Sequence, residues 1–112
     1  MQLTIEEMPN GITKAMLDGR LDIEGAAAVD MRLNVLAGSA GKLLIDVSKV
    51  SFLASMGLRT LMTCARATKS KGRVMAIAGP QPNVDKVMRS SGLDEVVDIY
   101  ETADAAVAAL ST

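Results

Sequence analysis

Few residues in this chain can do chemistry, and the most informative is Ser55. It stands in the stretch S-F-L-A-S-M-G-L-R-T, Ser51 to Thr60, where a strand-like run passes through a short loop into a helical pattern. A serine at a helix start can accept a bond from an unpartnered backbone amide, and the positive end of the helix favours an anion there. Ser55 therefore admits two readings. One is a capping serine. The other is a serine displayed for modification, whose phosphate the helix N-terminus would tolerate without unfolding.

Hydrolytic chemistry at Ser55 is disfavoured. L-A-S-M-G, Leu53 to Gly57, matches the latter part of a G-x-S-x-G nucleophile elbow, but Leu53 replaces the first glycine and the chain contains no histidine to act as general base. One cysteine and no histidine build no usual zinc site. Asp22 and Asp46 each stand at the end of a strand-like run, where a lone aspartate more often caps a loop than holds a cation. Cys64 reads as a small core residue. The sequence points to no enzyme, no metal and no cofactor.

The elements that must position these residues follow from periodicity. Leu3 and Ile5 alternate with polar neighbours, Pro9-Asn10-Gly11 signals a hairpin, and Gly11 to Leu17 should return antiparallel before Gly19-Arg20-Leu21-Asp22 breaks the pattern. Glu24 to Ala37 is an amphipathic helix with Ala26, Val29, Leu33 and Leu36 on one face. Lys42 to Val47 is a near-continuous apolar run, as suits a strand buried on both faces. A loop ending at Ser55 leads to a helix with Leu58, Leu61, Met62 and Ala65 on its stripe, closed near Lys69 to Gly72.

Arg73 to Ala78 is the fourth strand, and Pro82 occupies the favoured first position of the next helix. Gly92 with Leu93 fits a left-handed cap. Val96 to Ile99 is a short fifth strand, and Thr102 caps a last helix in which Ala103, Ala106, Val107 and Leu110 share a face.

The order β-β-α-β-α-β-α-β-α predicts one α/β domain over residues 1–112, a mixed, mostly parallel five-stranded sheet with an N-terminal β-hairpin and about four helices. At 112 residues and 49% hydrophobic content it can bury its own core. The loops after the second, third and fourth strands should gather Asp22, Asp46, Ser48, Ser51, Ser55 and Gly79 at the carboxyl edge of the parallel strands.

A net charge of −1, from 12 Lys+Arg against 13 Asp+Glu, supplies no basic field, and Phe52 and Tyr100 are the only aromatics. Those features argue against direct nucleic-acid binding. No apolar run approaches membrane-spanning length, the N-terminus is not a signal segment, and a lone cysteine suits a reducing, cytoplasmic compartment.

From G-R-L-D through L-L-I-D-V-S-K-V-S-F-L-A-S-M-G-L-R-T-L to P-N-V-D-K-V-M-R-S-S-G-L and T-A-D-A-A-V-A-A-L, the whole chain resembles a bacterial STAS domain of the anti-sigma factor antagonist family. The resemblance implies partner switching in transcription. An unphosphorylated antagonist binds an anti-sigma factor that is also a serine kinase, phosphorylation ends the complex, and a serine phosphatase restores it. By position, the family's phosphorylated serine falls on Ser55 and the aspartate of its G-x-L-D motif on Asp22. Partner contact is expected at Asp22, Ser51, Ala54, Ser55, Met56, Gly57 and Arg59, while Phe52 and Leu53 fit either that surface or the core.

The family stretch D-S-S/T-G-L is altered here, with Ala54 for the aspartate and Met56 for the second hydroxyl residue. These departures motivate an alternative, a non-switching STAS interaction subunit of a stress-signalling or transport-ATPase assembly.

Overall fold

A computed structural model describes residues 1–111. The Asn-Gly turn closes as its residues require. Asn10 and Gly11 both take positive φ, 67° and 74°, in a tight 3-10 turn that pairs Met8 with Ile12 and fixes the register of the strands on either side. Those strands are β1 (Gln2–Met8) and β2 (Ile12–Leu21).

The chain continues through α1 (Ile23–Ser39), β3 (Lys42–Leu53), α2 (Ser55–Ser70), β4 (Val74–Ala78), α3 (Pro82–Ser90), β5 (Asp98–Tyr100) and α4 (Ala103–Leu110). The five strands lie side by side in sequence order, β1 antiparallel to β2 and each later neighbour parallel. The result is a single α/β domain with a five-stranded mixed sheet, four helices and an N-terminal hairpin, as the sequence predicts.

β3 is apolar on both faces because both are covered. Leu43, Ile45 and Val47 point into the larger core with Val29 and Leu33 of α1, Leu61 and Cys64 of α2, and Val84 and Met88 of α3. Leu44, between them, joins Ile12, Ala76, Ala78, Ala106 and Leu110 in a smaller core on the opposite face, under α4. Gly92 takes the left-handed conformation and the Thr102 hydroxyl accepts a bond from the Ala105 amide, both as expected.

Three boundaries differ from the sequence expectation. β2 runs through G-R-L to Leu21, and β3 runs six residues past Val47, because the two strands stay paired with irregularities between Met16 and Asp18 and between Gly19 and Arg20. At each irregularity β3 carries one extra residue, so its buried side chains come at Val47, Val50 and Leu53, three apart rather than two. β5 is shorter and later than Val96 to Ile99, since a 3-10 turn, Leu93–Glu95, takes up the preceding chain.

Candidate functional site

The long β2–β3 pairing extends beyond β4 and carries the chain to where α1 and α2 begin. Leu21 pairs with Leu53, and the Ala54 amide donates to the Leu21 carbonyl at 3.1 Å. Both helices start against this one strand end. A Cβ on Gly25 would overlap the Arg20 carbonyl oxygen; one on Gly57 would overlap the Leu21 carbonyl oxygen and stand 2.7 Å from Leu21 Cγ. Only glycine lets each first turn sit so close.

Ser55 is not the cap of α2. The cap position belongs to Ala54, whose extended backbone (φ −100°, ψ 174°) lets its carbonyl accept the first helical bond, from Leu58 at 2.9 Å. The amide of Ala54 is held by Leu21, and this tertiary bond outweighs the preference for serine at a cap. Ser55 is the first helical residue, is exposed, and its hydroxyl has no hydrogen-bond partner among the described residues.

The N-terminus of α2 is unlike its counterparts. Asp22 caps α1 by accepting from the Gly25 amide at 2.9 Å, and Glu24 follows in the first turn. Thr102 caps α4, with Asp104 following, while α3 opens on Pro82 with Asp85 in its first turn. In α2 the first turn carries neither a capping side chain nor an acid. Its three leading amides precede the first helical bond and face the site with their positive charge uncompensated.

Beside this end, Asp22 uses its second carboxylate oxygen on Arg20, at 3.5 Å from Nε, and the Arg20 guanidinium lies 4.4 Å from the centroid of the Phe52 ring. The Gly25 amide, and after it Arg20, holds the Asp22 carboxyl below its usual range despite partial burial. Phe52 thus belongs to the surface while Leu53 is buried. Arg20 and Gly25 carry no site expectation in the sequence, although Arg20 and Asp22, two apart at a strand end, share a face.

The other expected residues assemble around this end. Ser51 is exposed at the end of β3, its carbonyl accepting from the Asn83 side chain at 3.0 Å. Met56 is 41% exposed, and Arg59, one turn after Ser55, is exposed as well. Gly57 lies buried beneath them and supports the surface from below. Met56 and Arg59 line one wall of a cleft of about 420 Å³ between α1 and α2, with Ile23, Ala27 and Asp30 on the other.

Asp46 and Ser48 lie on the same edge, farther along. Asp46 is buried, accepts from the Ser48 amide at 2.9 Å and pairs with Lys14 at 3.5 Å, so its charge is already engaged. Gly79 approaches Ser48 closely. Among the described residues no cluster of three metal-ligating side chains occurs, and no helix is long and apolar enough to cross a membrane. Cys64 is buried, and its thiol is pushed up to about 11 by loss of solvent.

Comparison with known proteins gives the family and the fold. The STAS domain family model matches residues 6–106. The chain is 26% identical over 104 residues to the anti-sigma F factor antagonist of Paenibacillus polymyxa, covering 90% of this chain and 89% of that one. The crystal structure of an anti-sigma factor antagonist from Mycobacterium paratuberculosis is 27% identical, with a TM-score of 0.90 over 99% of this chain and 94% of that one. An anti-sigma-factor antagonist (STAS) domain protein from Planctomyces limnophilus shares the fold at 19% identity, with a TM-score of 0.85 over 98% of each chain.

Proposed function

This chain belongs to the STAS domain family, and from that premise we propose that it is an anti-sigma factor antagonist working in the cytoplasm. It binds an anti-sigma factor that is also a serine kinase and is released when the kinase phosphorylates Ser55. The partner meets the face made by the β2 and β3 ends and the first turns of α1 and α2. Asp22, Ser51, Ala54, Ser55, Met56 and Arg59 contribute to that face, with Gly57 fixing its shape from beneath. A serine phosphatase reverses the modification.

The observation that carries this reading is the exposed Ser55 hydroxyl on the one helix N-terminus that has neither cap nor acid. A phosphate there adds about −1.5 to −2 charge and three acceptor oxygens. The leading amides of α2 and the Arg59 side chain one turn on accommodate it within the antagonist, so the fold persists. At a partner surface shaped for a neutral hydroxyl beside apolar Met56, the same phosphate must lose its water, and the complex separates.

Peptide mass spectrometry of the chain from its native host, with Ser55→Ala as control, tests the switch. Phosphate on Ser55 that disappears in the control is the expected result, with a Ser55→Asp variant binding the kinase more weakly than wild type. A serine unmodified under every growth condition would overturn it. That outcome would favour a non-switching STAS subunit of a stress-signalling or transport-ATPase assembly, a reading motivated by Ala54, which offers a kinase no carboxylate beside the serine. Such a subunit forms a complex indifferent to ATP and to Ser55→Ala.

A further inference from the structure

Past Asp46, β3 loses its strand neighbour on one side. Its pairing with β4 ends where Asp46 meets Ala78, whereas its pairing with β2 continues to Leu53. Both irregularities of the β2–β3 ladder fall in this overhang. Val47 and Ser48 together face Leu17, and Ser51 is inserted between Val50 and Phe52, whose partners Gly19 and Arg20 are adjacent. Extra residues of this kind are left out of the ladder, so their backbone groups need other partners.

Those partners come from the start of α3. The Gln81 side-chain amide donates to the Ser48 carbonyl at 3.1 Å, and the Asn83 side-chain amide donates to the Ser51 carbonyl at 3.0 Å. The Ser48 amide in turn donates to the Asp46 carboxylate at 2.9 Å. Each bulge is thus met by one amide side chain, both from the same cap. α3 itself is begun by other groups, since the Gln81 carbonyl accepts from Val84 at 3.0 Å and from Asp85 at 2.8 Å, and Val84 and Met88 bury its apolar side.

The bulges set where Ser55 stands. A slip of one residue would turn Val50 and Leu53 away from the core and carry Ala54 off the Leu21 carbonyl. We propose that Gln81 and Asn83 are positioning residues that pin the two bulges of β3 and so hold the first turn of α2, with Ser55, in place. The consequence for modification rests on the role proposed for Ser55; the tie between the two elements does not.

Residue-resolved hydrogen exchange of the full chain by NMR tests the tie. Asn83→Asp keeps the shape, and its charge suits the first turn of α3, but an ionised carboxylate cannot donate to the Ser51 carbonyl. Asn83→Ala removes the donor without adding charge. In both, the Ala54 and Leu58 amides, bonded to the Leu21 and Ala54 carbonyls, should exchange roughly three- to tenfold faster than in wild type, while Asp85 in α3 and Ala106 in α4 keep their rates. Gln81→Glu should act in the same direction through Ser48. Circular dichroism of each variant verifies that the fold is retained. Unchanged rates at Ala54 and Leu58 in both Asn83 variants overturn the proposal. Equal acceleration at Asp85 and Ala106 overturns it too, since that marks a general loss of stability rather than a tie to α2. In the native host the same variants should lower the phosphate occupancy of Ser55, and wild-type occupancy in them would break the link from the tie to modification. A wild-type chain unmodified at Ser55 would overturn the switch, with the exchange rates still deciding the tie.

Discussion

Gly57→Ala is the substitution whose effect the geometry decides most sharply. In an ordinary helical position it would help, since alanine is favoured over glycine by about 1 kcal/mol. Here the new Cβ would overlap the Leu21 carbonyl oxygen and stand 2.7 Å from Leu21 Cγ. Carbon atoms rest at about 3.5–4.0 Å, so α2 must retreat by about 1 Å. Overpacking of this kind costs about 1–3 kcal/mol, and stretching the 3.1 Å bond from Ala54 to Leu21 costs a further ~1 kcal/mol. After the helical gain the net loss is about 2 kcal/mol, a fall in Tm of roughly 10 °C for a domain of this size. Gly38→Ala in α1 is the matched control. Its nearest new neighbour is Lys71 Cε at 3.8 Å, an ordinary contact, so stability should hold or rise by up to about 1 kcal/mol. Urea unfolding followed by circular dichroism is the assay, because the chain has no tryptophan. A Gly57→Ala protein within about 0.5 kcal/mol of wild type, a margin ordinary for neutral surface changes, would refute the close-packing argument.

Three further outcomes follow from the same geometry. Ala54→Asp puts a capping carboxylate where the backbone is already extended for it, and should stabilise the domain by about 1 kcal/mol in the same urea assay; no gain would mean that the leading amides of α2 are not free to be capped. The Asp22 carboxyl is held below its ordinary 3.8, chiefly by the Gly25 amide, so its contribution to stability is present above that value and lost as pH falls through the lower folded value. Asp22→Asn, which keeps a cap acceptor, should therefore show a shallower loss of stability between pH 5 and 2 than wild type, and parallel curves would contradict the assignment. Cys64, raised from 9.0 to about 11, should react with iodoacetamide at pH 8 about a hundredfold more slowly in the folded chain than in urea, measured by intact mass; equal rates would place the thiol at the surface.

The fold was legible wherever local chemistry and tertiary packing agree. Asn10-Gly11 asks for positive φ and receives it, Thr102 caps the helix that follows it, and the apolar run from Leu43 to Val47 is buried on both faces. Legibility fails where a bulge changes the period. Val47, Val50 and Leu53 are as buried as any strand residues, but the extra residues of β3 space them by three, which fits neither the alternation nor the continuous apolar run by which a strand is read from sequence. For the same reason Gly19 to Leu21 reads as a break while remaining paired to β3. The site shows the same division. Ser55 was identified at the head of α2, but the cap fell one residue earlier, on an alanine, because the bond from Ala54 to Leu21 joins residues 33 apart that no local rule connects. The stacking of Arg20 on Phe52 likewise spans two strands whose register past Val47 is not written in either.

The support beneath Ser55 bears on how a charge placed there would act. Two helices begin on one strand end, Gly25 against Arg20 and Gly57 against Leu21, so the first turns bearing Asp22 and Ser55 are fixed to adjacent peptide groups. A first turn held in this way does not need a cap to remain helical, and α2 does without one at a cost near 1 kcal/mol. The same omission leaves its amides able to favour a phosphate by about 0.3–1 kcal/mol, which lowers rather than raises the energy of the folded chain. On the function proposed above, phosphorylation therefore does not act by melting the helix. It adds charge to a surface whose shape stays constant, and the whole of its effect falls on whatever is bound there.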